Sequence, residues 1–406
     1  MQALETATAL EGFTGRRAGT DAERRAAAWL ARQLAASGRE TSLQTFWCRP
    51  NWALAHAWHA ALALAGSLVS VASPRAGGGL ILAALASLVC DAFLGVSLGR
   101  RLTPERASQN VIAAAPERPG SPRRRLVLTA NYDVGRAGLV SRGAIRRAAA
   151  RLRRLSGAAT PGWLGWLALA LIWLEVVAIL RVQGHHGEAI SVAQLPPTLA
   201  VVLALAALLE LALAGVSPAG EDNATGVAVA LALARALDAT RPANLDVEVV
   251  LTGAGDHDGI GLRRFLRAHR HDHAPPDTIL VGIAACSGGS VRWWRSDGRL
   301  VALRYAPRLR RLAGELAGRE SFLKAARHDG RGQTPAFPAR LARVPAIAIG
   351  CLDADGLVPR SRQPDERSRA AQRAAVDDAL QFGLLLVEGI DAGLADERPR
   401  ARLTPA

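Results

Sequence analysis

The apolar positions of this chain fall into two patterns that stay apart. Four stretches are almost continuously apolar over about 20 residues, the length needed to cross a hydrocarbon core: 51–73, 78–98, 161–181 and 195–216. Short loops join the first to the second and the third to the fourth, which predicts two membrane hairpins. Trp52, Trp58, Trp163 and Trp166 lie near the segment ends, where interfacial aromatic side chains sit. The rest of the chain alternates between short apolar runs and segments with apolar residues at helical spacing. Helices are predicted at 19–38, capped by Thr20 or Asp21 and stopped by Gly38, and at 220–239 and 369–390; strands are predicted at 123–133, 245–256, 277–289 and 344–353. Strands alternating with helices imply an α/β sheet whose site lies at the carboxyl ends of the strands.

Composition sharpens the first pattern. Half of the 406 residues are apolar, which excludes a disordered chain, yet the formal charge is +15 and Lys324 is the only lysine. Residues 99–160 carry fourteen arginines against Glu105, Glu117 and Asp133, whereas the first hairpin loop has Arg75 alone and the second has no arginine beyond the bordering Arg181. This asymmetry places both termini and the 99–160 segment in the cytoplasm. Within 136–160, Arg146, Arg147, Arg151, Arg153 and Arg154 alternate with Ile145, Leu152 and Leu155 in a basic amphipathic helix suited to an anionic leaflet. No nucleic-acid motif accompanies it, so the expected partner is the lipid bilayer and not nucleic acid. Three spans hold one acid each, Asp91, Glu175 and Glu210, which fits either a proton path or pairing with an arginine such as Arg100 or Arg101. Cys48, Cys90, Cys286 and Cys351 form no C-x-x-C pair and read as buried free thiols in a reducing compartment.

The polar segments carry an ordered set of blocks: GT-x-AE-x-x-AA-x-WL, NVIA, a strand ending ANYD, PAGEDNATG opening a helix, a strand ending TGAGD, and TPAF-x-AR-x-x-VPAIAI. Together they resemble the M28 zinc aminopeptidase family. The resemblance covers roughly 10–50, 103–135 and 215–392, and implies a mixed α/β sheet sandwiched by helices and interrupted by the two hairpins. The implied organisation is an M28-like domain in pieces 1–50, 99–135 and 217–392, hairpins at 51–98 and 161–216, a basic segment at 136–160 and a tail at 393–406.

The family's co-catalytic zinc pair needs a bridging carboxylate, a His and an acid on each metal, and a Glu as general base. Matched position by position, the bridging acid is Asp222. The first His is replaced by Asn131, the base by Gly255 and its neighbouring ligand by Asp256. A further Asp falls near Ala284, and the last His on Ser361 or Arg362. One ligand is thus kept, one shortened and three replaced, with the base lost. The leading expectation is a pseudo-peptidase with no cofactor, holding a peptide or protein partner in the old cleft. The alternative is an altered, single-metal hydrolase, with zinc held by Asp222, Asp256 and His257. DNATG also serves as a helix cap without any metal. The cluster His269, His271, Asp272 and His273 reads as solvated surface, and Ser287 lies outside any G-x-S-x-G elbow.

Overall fold

The computed structural model describes residues 3–115, 124–156, 160–216, 221–275, 277–359, 361 and 369–395. The chain begins with helices α1 (Ala3–Glu11) and α2 (Asp21–Ala35), strand β1 (Thr41–Cys48), and the long helices α3 (Trp52–Ala72) and α4 (Pro74–Leu94). A short α5 (Leu98–Arg101) leads to β2 (Arg106–Ala113) and β3 (Arg124–Asn131), then to α6 (Gly143–Ser156), α7 (Trp163–Val182) and α8 (Glu188–Leu213). The remainder runs α9 (Glu221–Ala239), β4 (Leu245–Thr252), α10 (Ile260–Ala268), β5 (Thr278–Ile283), β6 (Ser290–Asp297) and β7 (Leu303–Arg304). It closes with α11 (Pro307–Arg319), β8 (Ala326–Asp329), α12 (Phe337–Leu341), β9 (Ala346–Leu352) and α13 (Arg369–Ala395).

The strands form one mixed sheet in the order β1-β2-β4-β3-β5-β9-β6-β7, with β8 beside β6. Strands β4, β3, β5 and β9 are mutually parallel, and β2 and β6 flank them antiparallel. Strand alternation sorts side chains between two layers. Leu126, Leu128, Ile347 and Ile349 pack with α1, α2, α9 and α13 on one face, while Val127, Ala346 and Ala348 meet Phe265 of α10 and Ala339 of α12 on the other. Both faces are covered, as a parallel core requires.

The four helices long and apolar enough to cross a membrane are α3, α4, α7 and α8. They pack in a ring around Ala60, Ala63, Ile81, Leu88, Leu171, Leu174, Val201 and Leu208. Their outer faces remain apolar, with Leu68, Leu82, Trp166, Trp173, Leu199 and Leu203 all exposed. A bundle in water would carry polar residues there. Gly66 and Gly77 let α3 and α4 touch: a Cβ at 77 would lie 2.4 Å from the Ser70 backbone. Helix α8 starts seven residues before the predicted span and includes Pro196 and Pro197. Its early turn is tied to α3, where Gln194 Nε2 donates to the Ser67 carbonyl and hydroxyl and Thr198 pairs with Ser67 Oγ.

A buried chain of charges joins bundle to sheet. Arg100 donates to both oxygens of Asp91 on α4, at 2.6 and 2.8 Å, and to Asp258 at 2.7 Å. Arg299 reaches the other oxygen of Asp258 at 2.7 Å. On the bundle side His56 lies 3.4 Å from Asp91, and His59 links to Ser87. Burial opposes ionisation of Asp258, but Arg100 and Arg299 outweigh it and hold the carboxyl well below the usual range. The three acids of the candidate spans do not face one another. Asp91 is in this network, Glu210 accepts from the Leu139 amide, and Glu175 lies against Gly78. The pairing of Asp91 with Arg100 is therefore what stands, and a shared proton path loses its geometry. Of the cysteines, Cys48, Cys286 and Cys351 are buried as expected, whereas Cys90 is exposed on the apolar outer face of α4.

Arg100→Met leaves two carboxylates buried against each other and is expected to cost about 3–5 kcal/mol. Thermal melting of the detergent-purified protein checks this, and a melting temperature equal to wild type would contradict it.

Candidate functional site

The carboxyl ends of β3, β4, β5 and β9 meet at a cleft of about 290 Å³. Asn131, Asp256, His257, Ala284 and Ser361 all line it, so the structure brings together most of the positions that sequence matching proposed. Asp222 lies in the first turn of α9, but its side chain and all of Arg362 are outside the described residues.

The turn after β4 is set by carboxylates that hold main chain. Glu23, on the first turn of α2, accepts from the amides of Gly19 and Ala254 and from Ser108 Oγ at 2.6–3.1 Å. Thr20 caps the same helix by accepting from the Glu23 amide. Asp133 accepts from the amides of Gly255 and Asp256, at 2.9 and 3.1 Å. Burial, then the charges of Asp256 and Glu23, push the Asp133 carboxyl well above its ordinary range. Glu23 is raised to about 7, chiefly by burial. These two residues belong to the GT-x-AE and ANYD blocks, whose role is thereby explained: they aim the turn, whatever side chains it carries.

The side chains around the turn are fitted to one another. Asn131 Oδ1 accepts from Thr252 Oγ1 at 2.8 Å, and a Cβ on Gly255 would sit 2.3 Å from that same oxygen. The Asn131 amide thus occupies the space a side chain at 255 needs. Asp256 faces the cleft, but His257 adopts φ +67° and stacks its ring on Trp52 of α3, with centroids 3.6 Å apart and planes 11° apart. Among the described residues no group of three His, Cys, Asp or Glu side chains is placed to hold a metal ion.

Across the cleft, Asp297 accepts from the amides of Gly298, Gly332 and Thr334. His328 is lowered to about 4, by burial and then by Arg153, so it is neutral near pH 7. The basic helix α6 reaches the same wall. Arg146 donates to the Val358 and Ser361 carbonyls, and Arg154 pairs with Asp355 at 3.0 Å. Arg153 lines the cleft. Three of the five arginines expected at the membrane surface therefore contact or face the sheet domain, while Leu152 and Leu155 of the same helix are exposed.

The histidine-rich segment is not all solvated. His273 is buried and pairs with Glu248 at 2.7 Å, and His269 packs on Phe265; only His271 and Asp272 are exposed. The short turn that ends α10 folds these rings back onto its last apolar residue. Sequence reasoning also missed Trp52 and Trp163 as neighbours of His257, and Arg299 as the second cation on Asp258, for which no sequence signal exists.

No protein-family profile and no curated protein matches the sequence. Solved structures do. LapB from Legionella pneumophila aligns with a TM-score of 0.52 at 10 % identity, over 96 % of this chain and 71 % of that one. A glutaminyl cyclase from Bacteroides thetaiotaomicron gives 0.50 at 14 % identity over 94 % and 96 %. A leucine aminopeptidase precursor from the same organism gives 0.48 at 15 % identity over 94 % and 96 %. At such identities the likeness concerns the fold alone: the chain has an M28-like α/β fold, as LapB and the glutaminyl cyclase do, with its central mixed sheet flanked by helices.

Two measurements follow. Gly255→Ala is expected to lose about 1–3 kcal/mol by overpacking against Asn131, and the double variant with Asn131→Ala to recover most of it; strict additivity would refute the contact. Glu23 binds its proton more tightly folded than unfolded, where carboxyls titrate near 4.3. The stability it supports below about pH 4 is lost as pH rises toward about 7. Chemical denaturation from pH 5 to 8 is expected to show this decline in wild type and a flatter profile in Glu23→Gln.

Proposed function

We propose that this chain is a multi-pass membrane protein whose M28-like domain lies on the cytoplasmic side and binds a ligand without hydrolysing it. The observation that carries the reading is the exchange at Asn131 and Gly255. The position where the resemblance expects a general base has no side chain, and the adjoining amide fills the space and is bonded to Thr252. Asp133 and Glu23 still hold the surrounding main chain. Maintenance of the cleft without its base is what a binding site requires and a hydrolase does not.

The described residues do not fit a zinc pair of the family's kind. Asn131 Oδ1 is committed to Thr252, Ala284 has no ligand to offer, and position 255 supplies no base. The altered hydrolase built on Asp222, Asp256 and His257 is less well supported, because the imidazole of His257 is engaged face to face with Trp52. The bilayer placement is supported by the four apolar helices with their exposed Leu and Trp side chains, and the sidedness by the arginine surplus of 99–160.

Metal analysis of protein purified without chelators, together with aminoacyl-anilide turnover, tests this. Fewer than two zinc ions per chain and no turnover are expected. Stoichiometric zinc with turnover that Asp222→Asn abolishes would overturn the reading in favour of the altered hydrolase.

A further inference from the structure

A second cavity of about 610 Å³ adjoins the cleft and shares His257 and Ser361 with it. Its walls are apolar and belong to two of the candidate spans: Leu167 and Ala170 on α7, and Ala200, Ala204, Ala207 and Leu211 on α8. Trp52, Trp163 and Arg146 stand where it opens toward the sheet domain. Along α8 the groove runs from Leu211 to Ala200, about 16 Å at 1.5 Å per residue. One leaflet of hydrocarbon is about 15 Å deep, half of the ~30 Å core. A groove of this depth, walled by spans and open at one end to a polar cleft, has the proportions of a single acyl chain with its headgroup attached. Three guanidinium groups border the polar part, those of Arg146, Arg153 and Arg331, beside Asp256 and an Asp297 whose oxygens already take three amides.

From these features we infer that the cleft and groove together hold one anionic phospholipid drawn from the adjoining leaflet. One of its two acyl chains lies between α7 and α8 while the other stays in the leaflet, and its phosphate lies against Arg146, Arg153 and Arg331. This rests on the membrane placement proposed above and names the ligand of that same cleft. His257, on the turn that resembles the family's catalytic turn, then marks the boundary between headgroup and chain, which accounts for its stacking on the first residue of α3. The apolar groove excludes water from one end of the cleft, so a fully polar peptide would leave that end unfilled.

Native mass spectrometry of the full chain in mild detergent, with phosphatidylglycerol or phosphatidylethanolamine added, tests the inference. One phosphatidylglycerol is expected to be retained per chain in preference to phosphatidylethanolamine. Ala204→Trp, which fills the groove, is expected to reduce retention to background, whereas Leu203→Trp, on the exposed face of the same helix, leaves it unchanged. Arg146→Gln is expected to weaken retention about fivefold, the worth of one basic contact to an anionic lipid. Ala200→Phe shortens the groove and is expected to favour 12-carbon over 16-carbon chains, a shift in selectivity that misfolding cannot mimic. Retention of the two lipids alike, unchanged retention in Ala204→Trp, or a peptide bound in place of lipid would each overturn the inference while leaving the membrane placement intact. Release of the chain from membranes by alkaline carbonate would instead strike the placement itself.

Discussion

The structure depends on the buried charges that run from Asp91 through Arg100 and Asp258 to Arg299. Two carboxylates and two guanidiniums removed from water are tolerable only when each is paired, and here Arg100 hydrogen-bonds to both acids at 2.6–2.8 Å while Arg299 makes an ion pair with Asp258 at 2.7 Å. Such a network contributes less to net stability than to position, since no displaced arrangement would pair all four groups. It fixes the carboxyl end of α4 against the turn that follows β4. The aromatic stack of Trp52 on His257 fixes the neighbouring end of α3 against the same turn. The bundle and the turn after β4 are therefore registered to each other, and the cleft and the groove meet because of it.

Only part of this was legible in the sequence. The spans were, because twenty apolar residues in a row have few other uses, and so were β3 and β9, whose buried runs are short and bounded by polar residues. Strand β4 was drawn four residues too long and β5 six: TGAGD and AACSGG continue the apolar runs, but after Thr252 the backbone turns because Glu23 and Asp133 bind its amides from distant parts of the chain. Strands β1, β2, β6, β7 and β8 were not drawn. Thr41–Cys48 is largely exposed at the sheet edge, and the arginines of Ser290–Asp297 disguise a strand whose Trp293 and Trp294 are buried. The sequence blocks disclosed the fold because they encode main-chain scaffolding, as Glu23 and Asp133 show by holding the turn after β4.

The site was legible as a set of absences and illegible as a shape. That Asn131 and Gly255 had departed from the family pattern could be read residue by residue, but their mutual exclusion of volume could not. The left-handed backbone at His257 was equally hidden, since nothing in GDHDG announces it, and it decides which way the imidazole faces. Arg146, Arg153 and Arg154 looked like a membrane-facing row because sequence periodicity reveals a charged face without revealing what covers it.

The order of strands carries a further consequence. Strands β2 and β3 are both synthesised between the two hairpins, yet they never pair; β4, made only after the second hairpin, lies between them. Until α7 and α8 have been translated, β2 and β3 each keep an unsatisfied edge, and the sheet cannot close around its own early strands. Completion of the α/β domain is thus tied in time to synthesis of the second hairpin. A chain that stalls between the two hairpins presents open strand edges to the ribosome's surroundings, and makes itself a substrate for quality control rather than a half-finished domain.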